Sequence, residues 1–379
     1  MMNYEFLRIV WWLLLGILLI GFAVMDGFDL GTVALLPFVA KNDVERRVVI
    51  NSVGPVWEGN QVWFILGGGA IFAAWPYVYA ISFSGFYLAM FLVLATFIVR
   101  PVGFKYRSKV EDPRWRNTWD WVLCVGGIAA CTLFGVAVGN AIQGVPFHFD
   151  QDLRAFYTGS FFALLNPFAL LCGVTSLVML VMHGGYYLAI KSENPVADRA
   201  LRAARRFSLL LIMLFAIGGL WVGYGHIGYS ITSAISAIGP SNPTHKQAIA
   251  KAGAWMHNYG LHPWMLLLPI LGLGGAALAW LFAGNGSKKT AFVASSLSVA
   301  GVIGTVGVSM FPFILPSSTN PSQSLTVWDA SSSQLTLQIM FVCAVIFVPL
   351  IIAYTTWVFR VLRGPVTQES IKSDSKDMY

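Results

Sequence analysis

Apolar runs long enough to cross a lipid bilayer recur nine times along this chain, and that recurrence constrains its fold more than any other feature. A hydrocarbon core of ~30 Å needs about twenty apolar residues in a helix. Spans are expected at Ile9–Pro37, Ile50–Ala74, Tyr79–Val99, Trp121–Ile142, Phe161–Ile190, Phe207–Gly225, Pro263–Ala283, Ala291–Phe313 and Leu335–Phe359. Composition closes the alternative: of 379 residues, 57% are hydrophobic and only 11% charged, whereas a soluble domain is about a quarter charged. No soluble fold of this size has interior enough for so much apolar surface. The expected class is an all-α integral membrane protein, with two four-helix bundles plus one peripheral helix. Residues 1–363 form the polytopic membrane domain, and residues 364–379 form a hydrophilic tail expected to be mobile. The first span is too long for a signal peptide, and no small-residue cleavage site follows it.

Charge placement sets the expected orientation. Twenty of the 24 Lys and Arg residues fall in alternating connections: Lys41, Arg46 and Arg47, then 100–116, 191–206, Lys288 and Lys289, and the C-terminal stretch. Only Arg8, Arg154, Lys246 and Lys251 lie opposite. The positive-inside rule puts the rich side in the cytoplasm, hence a periplasmic N-terminus, a cytoplasmic C-terminus and an odd number of spans. The net charge of +7 is therefore a topology signal, and no basic folded face exists to support nucleic-acid binding. Cys124, Cys131, Cys172 and Cys343 lack the paired spacing of a metal knuckle and read as small, unbridged packing residues. The longest connections, 143–159, 226–262 and 314–334, all face outward, and the last is a polar stretch expected to fold on the outer rim.

Three acids fall where hydrocarbon should be: Asp26 and Asp29 in the first span, Glu58 in the second. An ionised carboxylate in lipid costs at least a few kcal/mol, so such residues face protein or trapped water. Asp26 and Asp29 are three apart and share one helix face. Asn51, Glu58 and Gln61 give a polar stripe on the second span, with Pro55 inside it removing an amide donor. Asp29 lies 21 residues beyond Arg8, roughly 30 Å of helix, which places it in the cytoplasmic half. Glu58 is eleven residues past Arg47, roughly 16 Å in. Arg100, followed by Pro101, sits where it could pair with either acid. Burial and mutual repulsion oppose ionisation while Arg100 favours it, and a group so balanced is able to take up and release protons. The functional reading is a cytoplasmic proton-uptake path; the bland one is a static polar cluster sealing helix packing.

Histidine placement argues against bis-histidine haem ligation, which needs facing imidazoles at matching depth. Only His183 is well inside a span; His226 is placed at a span boundary, and His148, His245, His257 and His262 in outer loops. Gly67, Gly68 and Gly69 sit mid-span, where small residues allow close helix approach. They are no phosphate loop, lacking the strand and the Lys-Ser/Thr. Many of the fourteen Trp fall near expected membrane edges, as aromatic belts do.

The chain resembles subunit II of bacterial cytochrome bd ubiquinol oxidase over nearly its whole length. The resemblance rests on Trp11-Trp12-Leu13-Leu14, Asp26-Gly27-Phe28-Asp29, Glu45-Arg46-Arg47, Gly59-Asn60-Gln61-Val62-Trp63, Ala74-Trp75-Pro76, Arg100-Pro101, Arg114-Trp115-Arg116 and Trp328-Asp329, in that order. It implies a heterodimer in the bacterial inner membrane with a larger subunit I, which carries two haem b, one haem d and the quinol site. Small single-span accessory peptides would be a further expected partner. Subunit II would ligate no haem or metal and would support its partner. It would carry protons through acids matching Asp29 and Glu58, with Arg100 nearby; Asp26, on the helix face of Asp29, is assigned to the same path. The family often has Asp where this chain has Glu58. A Trp at the position of Trp63 is linked in the family to the membrane entrance of an oxygen channel, and some members hold a structural quinone in this subunit. The competing functional class is a proton-coupled secondary transporter, although no inverted repeat or paired broken helices are seen. A third reading is a purely structural scaffold.

Overall fold

The computed structural model describes residues 2–225 and 227–373. Its long helices begin where the sequence supplies start signals. Helix α1 (Tyr4–Val39) is capped by Asn3, α2 (Asp43–Val53) by Asn42, and α3 (Trp57–Ala74) follows a break at 54–56. Helix α4 (Pro76–Gly85) opens on proline, and α5 (Tyr87–Tyr106) follows after one residue. Helix α6 (Pro113–Gln143) is capped by Asp112 and α7 (Pro167–Lys191) by Asn166. A side-chain oxygen at these caps satisfies an orphan amide, and proline in the first turn has no amide to orphan. The chain continues through α8 (Val196–Tyr224), the short α9 (His257–Leu261), α10 (Leu267–Gly284), α11 (Lys288–Met310), α12 (Gln334–Val361, capped by Ser333) and α13 (Gln368–Ser373).

Two four-helix groups result. Helices α1, α3, α5 and α6 form one, and α7, α8, α10 and α11 the other. They join chiefly where α7 meets α1 and α6, while α12 lies at the periphery on α1 and α3. The bundles meet through small residues, as expected where lipid removes the hydrophobic drive between helices. A methyl group added at Gly31 of α1 would run into the backbone carbonyl of Leu180 on α7, and one added at Gly184 would meet Thr32. Thr32 Oγ1 donates to the Gly184 carbonyl at 3.2 Å across this crossing. The expected close approach at Gly67–Gly69 is not found within the chain: nothing lies near the added methyl at Gly68 or Gly69.

Eight helices among the described residues are long and apolar enough to cross a membrane. The expected second span is where the count differs. Instead of one helix from Ile50, α2 ends at Val53, and α3 begins at Trp57 with Glu58, Asn60 and Gln61 in its first turns. The third span, expected at Tyr79–Val99, divides into α4 and α5, and α5 runs on past Arg100 to Tyr106.

The two ends of the bundle differ in chemistry. One end is built from three antiparallel hairpins: β1 (Phe147–Phe149) with β2 (Ala155–Tyr157), β3 (Tyr229–Ile231) with β4 (Ala248–Ala250), and β5 (Phe313–Leu315) with β6 (Leu325–Thr326). Buried polar contacts tie these hairpins down. Lys246 Nζ meets Asp329 Oδ2 at 2.6 Å, and Asp329 Oδ1 accepts from the Thr326 amide and hydroxyl. Burial lowers the Lys246 ammonium pKa, with Asp329 partly restoring it. Arg8 donates to the carbonyls of Ala237 and Gly239 and to Ser331.

The other end is basic. Asp120, fully buried on α6, binds Arg107 at 2.6 Å and Arg46 at 2.8 Å, while Asp43 holds Arg107 and Arg116. Glu45 accepts from Arg199 at 2.8 Å and from the Lys41 amide. The tail also departs from expectation, since it is docked here through residue 371. The Val366 amide donates to Lys191 O at 2.8 Å, Lys191 Nζ donates to Leu362 O, and Ile371 is buried.

Candidate functional site: a buried acid pair between three helices

Helix α1 places Asp26 and Asp29 one turn apart, and neither is exposed at all. Two other helices bring their partners. Arg100, buried on α5, donates from Nη1 to Asp26 Oδ1 at 2.8 Å. Asn60, buried in the first turns of α3, donates from Nδ2 to Asp29 Oδ2 at 2.8 Å. The Arg100 guanidinium carbon stands 5.2 Å from the Trp57 ring centroid and 5.0 Å from that of Phe97, which shields its charge from lipid.

The two acids are therefore held unlike one another. Asp26 has a full counter-charge; Asp29 has a neutral amide. Asp26 Oδ2, Asp29 Oδ1, and Nε and Nη2 of Arg100 have no hydrogen-bond partner among the described residues. A cavity of about 10 Å³ beside Arg100, lined by Leu30, Thr96 and Gly126 among others, has room for one water molecule. Buried groups with spare donors and acceptors are suited to exchanging protons, because a saturated network has nowhere to accept one.

Local chain geometry explains why Asn60 fills this place. Pro55 has no amide, so the helix that would have run from α2 into α3 breaks at 54–56. Tyr187, stacked on Phe28 at 3.8 Å, donates its hydroxyl to Ser52 O just before the break. Helix α3 then restarts with Trp57 and Asn60 turned inward and Glu58 turned out.

Among the residues singled out from sequence, Asp26, Asp29 and Arg100 come together, with Arg100 on Asp26. Glu58 does not join them. It is exposed and makes no hydrogen bond or ion pair among the described residues. The expected stripe of Asn51, Glu58 and Gln61 is not a stripe, since Asn51 belongs to α2 and donates to Arg47 O at 2.8 Å. Trp63 is buried, its indole packed on Gly21 of α1.

Two residues escaped the sequence reading. Asn60 lies in the Gly59–Trp63 motif, which assigns it no role, and Asp120, just before the fourth expected span, is not among the acids expected at bilayer depth. A signal for Asp120 was present in the density of Arg around it. His183 is fully buried, its ring nitrogens engaged by Ser295 Oγ at 2.8 Å and Val24 O at 3.0 Å, and its ring stacked on Phe292. Neither nitrogen is offered to an axial position, so this residue does not fit a haem. His226 lies outside the described residues. Among the described residues no three His, Cys, Asp or Glu side chains are grouped to hold a metal. The four cysteines are unbridged.

These features define a class: a multi-pass helical membrane protein with a buried acid–arginine cluster inside its first bundle. The profile of cytochrome bd terminal oxidase subunit II matches residues 7–362, and the chain belongs to that family. It is 49% identical over 379 residues to the cytochrome bd-I ubiquinol oxidase subunit 2 of Escherichia coli K12, covering all of both chains. It is 48% identical, again over both whole chains, to a probable cytochrome oxidase subunit 2 of Haemophilus influenzae. The Bacillus subtilis cytochrome bd ubiquinol oxidase subunit 2 is 28% identical, over 95% of this chain and 97% of its own. A chain in the structure of bd oxidase from Geobacillus thermodenitrificans superposes with a TM-score of 0.69 at 14% identity, covering 94% of this chain and 98% of that one, which shows the shared fold. The chain is thus a subunit of a respiratory oxidoreductase complex, and the transporter reading is set aside.

Proposed function

We propose that this chain is the haem-free subunit II of a quinol:dioxygen oxidoreductase in the bacterial inner membrane. It supports a haem-bearing subunit I and delivers protons to it from the cytoplasm. The complex oxidises two quinols and reduces one dioxygen to two waters, taking four protons from the cytoplasm while the quinol protons leave outside. The haems, two b and one d, belong to the partner, as does the quinol site; single-span accessory peptides fit the same assembly. The basic end of the bundle is cytoplasmic by the positive-inside rule, and α3 is the ninth crossing, with Trp57 and Asn60 of its first turns set against protein and Glu58 facing away.

The observation that carries the reading is the asymmetry of the acid pair. Asp26 with Arg100 is a fixed ion pair, and Asp29, held only by an amide, exchanges the proton. Glu58 supports delivery outward from this chain. It lies on α3 two residues from Asn60, on a face with Gly59, Val62, Ile65 and Phe72 that is left exposed. An exposed acid at bilayer depth needs a protein cover, so this face meets subunit I and Glu58 receives the proton there. Trp63 is the residue we assign to lateral oxygen access, a reading supported by its position beside the gap between α1 and α12. The family's structural quinone has no assigned place here.

Purification tests the reading. A haem-bearing partner, absorption toward the red end of the visible spectrum and quinol-dependent oxygen consumption are expected. A colourless single chain that drives substrate counterflow in vesicles contradicts it.

A further inference from the structure

The peripheral helix α12 does not seal against the bundle. Between it and the α1–α3 pair lies a gap of about 440 Å³. Met25 and Trp63 form its bundle side; Ile352, Thr356 and Phe359 form its α12 side, with Arg360 and Arg363 at the basic end. Those α12 positions recur at helical spacing, so they form one stripe turned toward the bundle. From Ile352 to Arg360 the stripe runs eight residues, roughly 12 Å, and Arg363 follows just past the end of α12.

The chemistry of the lining selects the occupant. The apolar walls of the gap suit a hydrocarbon chain. Its basic end carries two guanidinium groups, and neither Arg360 nor Arg363 makes an ion pair or hydrogen bond among the described residues. Arginine clusters between helices at a membrane edge bind anionic headgroups, because the guanidinium fork matches phosphate oxygens.

We propose that the gap between α12 and the α1–α3 pair binds an anionic phospholipid, its phosphate on Arg360 and Arg363 and one acyl chain along Phe359 and Trp63. The lipid completes the contact that α12 lacks. It also covers the membrane-side edge of Trp63, so whatever reaches that indole from the bilayer passes the acyl chain. This site stands on the gap and its arginines alone and is independent of the proton path.

Native mass spectrometry of the intact purified complex, exchanged into mixed phosphatidylglycerol and phosphatidylcholine, tests the assignment. Wild type is expected to retain phosphatidylglycerol selectively. Arg360→Ala with Arg363→Ala is expected to lose at least about tenfold of that retention while keeping the partner subunit. Thr356→Trp, which fills the gap and leaves both arginines, is expected to expel the lipid as well. Equal retention in the arginine variant overturns the proposal. So does lipid that stays bound in Thr356→Trp, or loss of the partner subunit on removing the arginines, which would assign them to the protein interface.

Discussion

The Asp26–Arg100 pair offers a quantitative test of the buried cluster. Its nitrogen and oxygen are 2.8 Å apart, and both side chains are removed from solvent. With charge centres about 4 Å apart and an effective dielectric near 20, their attraction is about 4 kcal/mol. Breaking such a pair leaves a lone charge in a low-dielectric interior, which costs about 3–5 kcal/mol. Asp26→Asn strands Arg100, two of whose nitrogens are already unpartnered, and Arg100→Gln strands Asp26 beside a second acid. The double substitution removes both charges and leaves two amides able to bond one another. Each single variant should therefore lower the denaturation midpoint of the purified complex by several degrees. The double variant should recover about 2–3 kcal/mol relative to the sum of the singles. Thermal denaturation of all four proteins in the same detergent provides the cycle. Additive losses, with no recovery in the double, would refute the ion pair and with it the unequal treatment of the two acids.

Other outcomes follow from neighbouring contacts. Asn60→Leu removes the only hydrogen-bond donor to Asp29 among the described residues, a bond worth about 1–3 kcal/mol to a buried acid, so quinol oxidase turnover should fall about tenfold with partner haem content unchanged. Gly31→Val drives a side chain into the Leu180 carbonyl and should destabilise the complex by at least about 1–3 kcal/mol, read as lower yield of assembled protein. Burial alone would raise the Glu45 carboxyl, but Arg199, the Lys41 amide and Asn42 together hold it below the usual carboxylate range. Its contribution is then fully present above the ordinary Glu range near ~4.3 and is lost as pH falls through and below that range. Glu45→Gln should flatten the acid side of the stability profile there.

Much of this architecture was legible because the bilayer imposes long apolar runs and one-sided arginines. The same logic flagged Asp26 and Asp29, whose chemistry is improbable at that depth unless a partner meets them. Which partner was less legible. Asn51, Glu58 and Gln61 share a face only on an unbroken helix, and the break at Pro55 resets the helical phase, so that Asn60 turns inward and Glu58 outward. Periodicity cannot carry phase across a break. The nine-residue spacing from Asn51 to Asn60 carried no meaning until α3 began at Trp57. Docking of the tail rests, among the described residues, on buried Ile371 and on bonds to Lys191, neither of which leaves a periodic pattern. Asp120 does not stand out in sequence because Arg46, from another helix, meets it only in three dimensions.

Proton uptake by the assembled complex carrying Asp29→Asn tests the central claim most directly. The amide keeps the size and the Asn60 contact of Asp29 but cannot release a proton. In vesicles holding the wild-type complex, quinol addition should draw protons from the cytoplasmic side in step with oxygen consumption. In the variant, both uptake and turnover should fall at least about tenfold while subunit I and its haems remain bound. Unchanged uptake and unchanged turnover in a fully assembled Asp29→Asn complex would contradict the account and leave the cluster a structural seal.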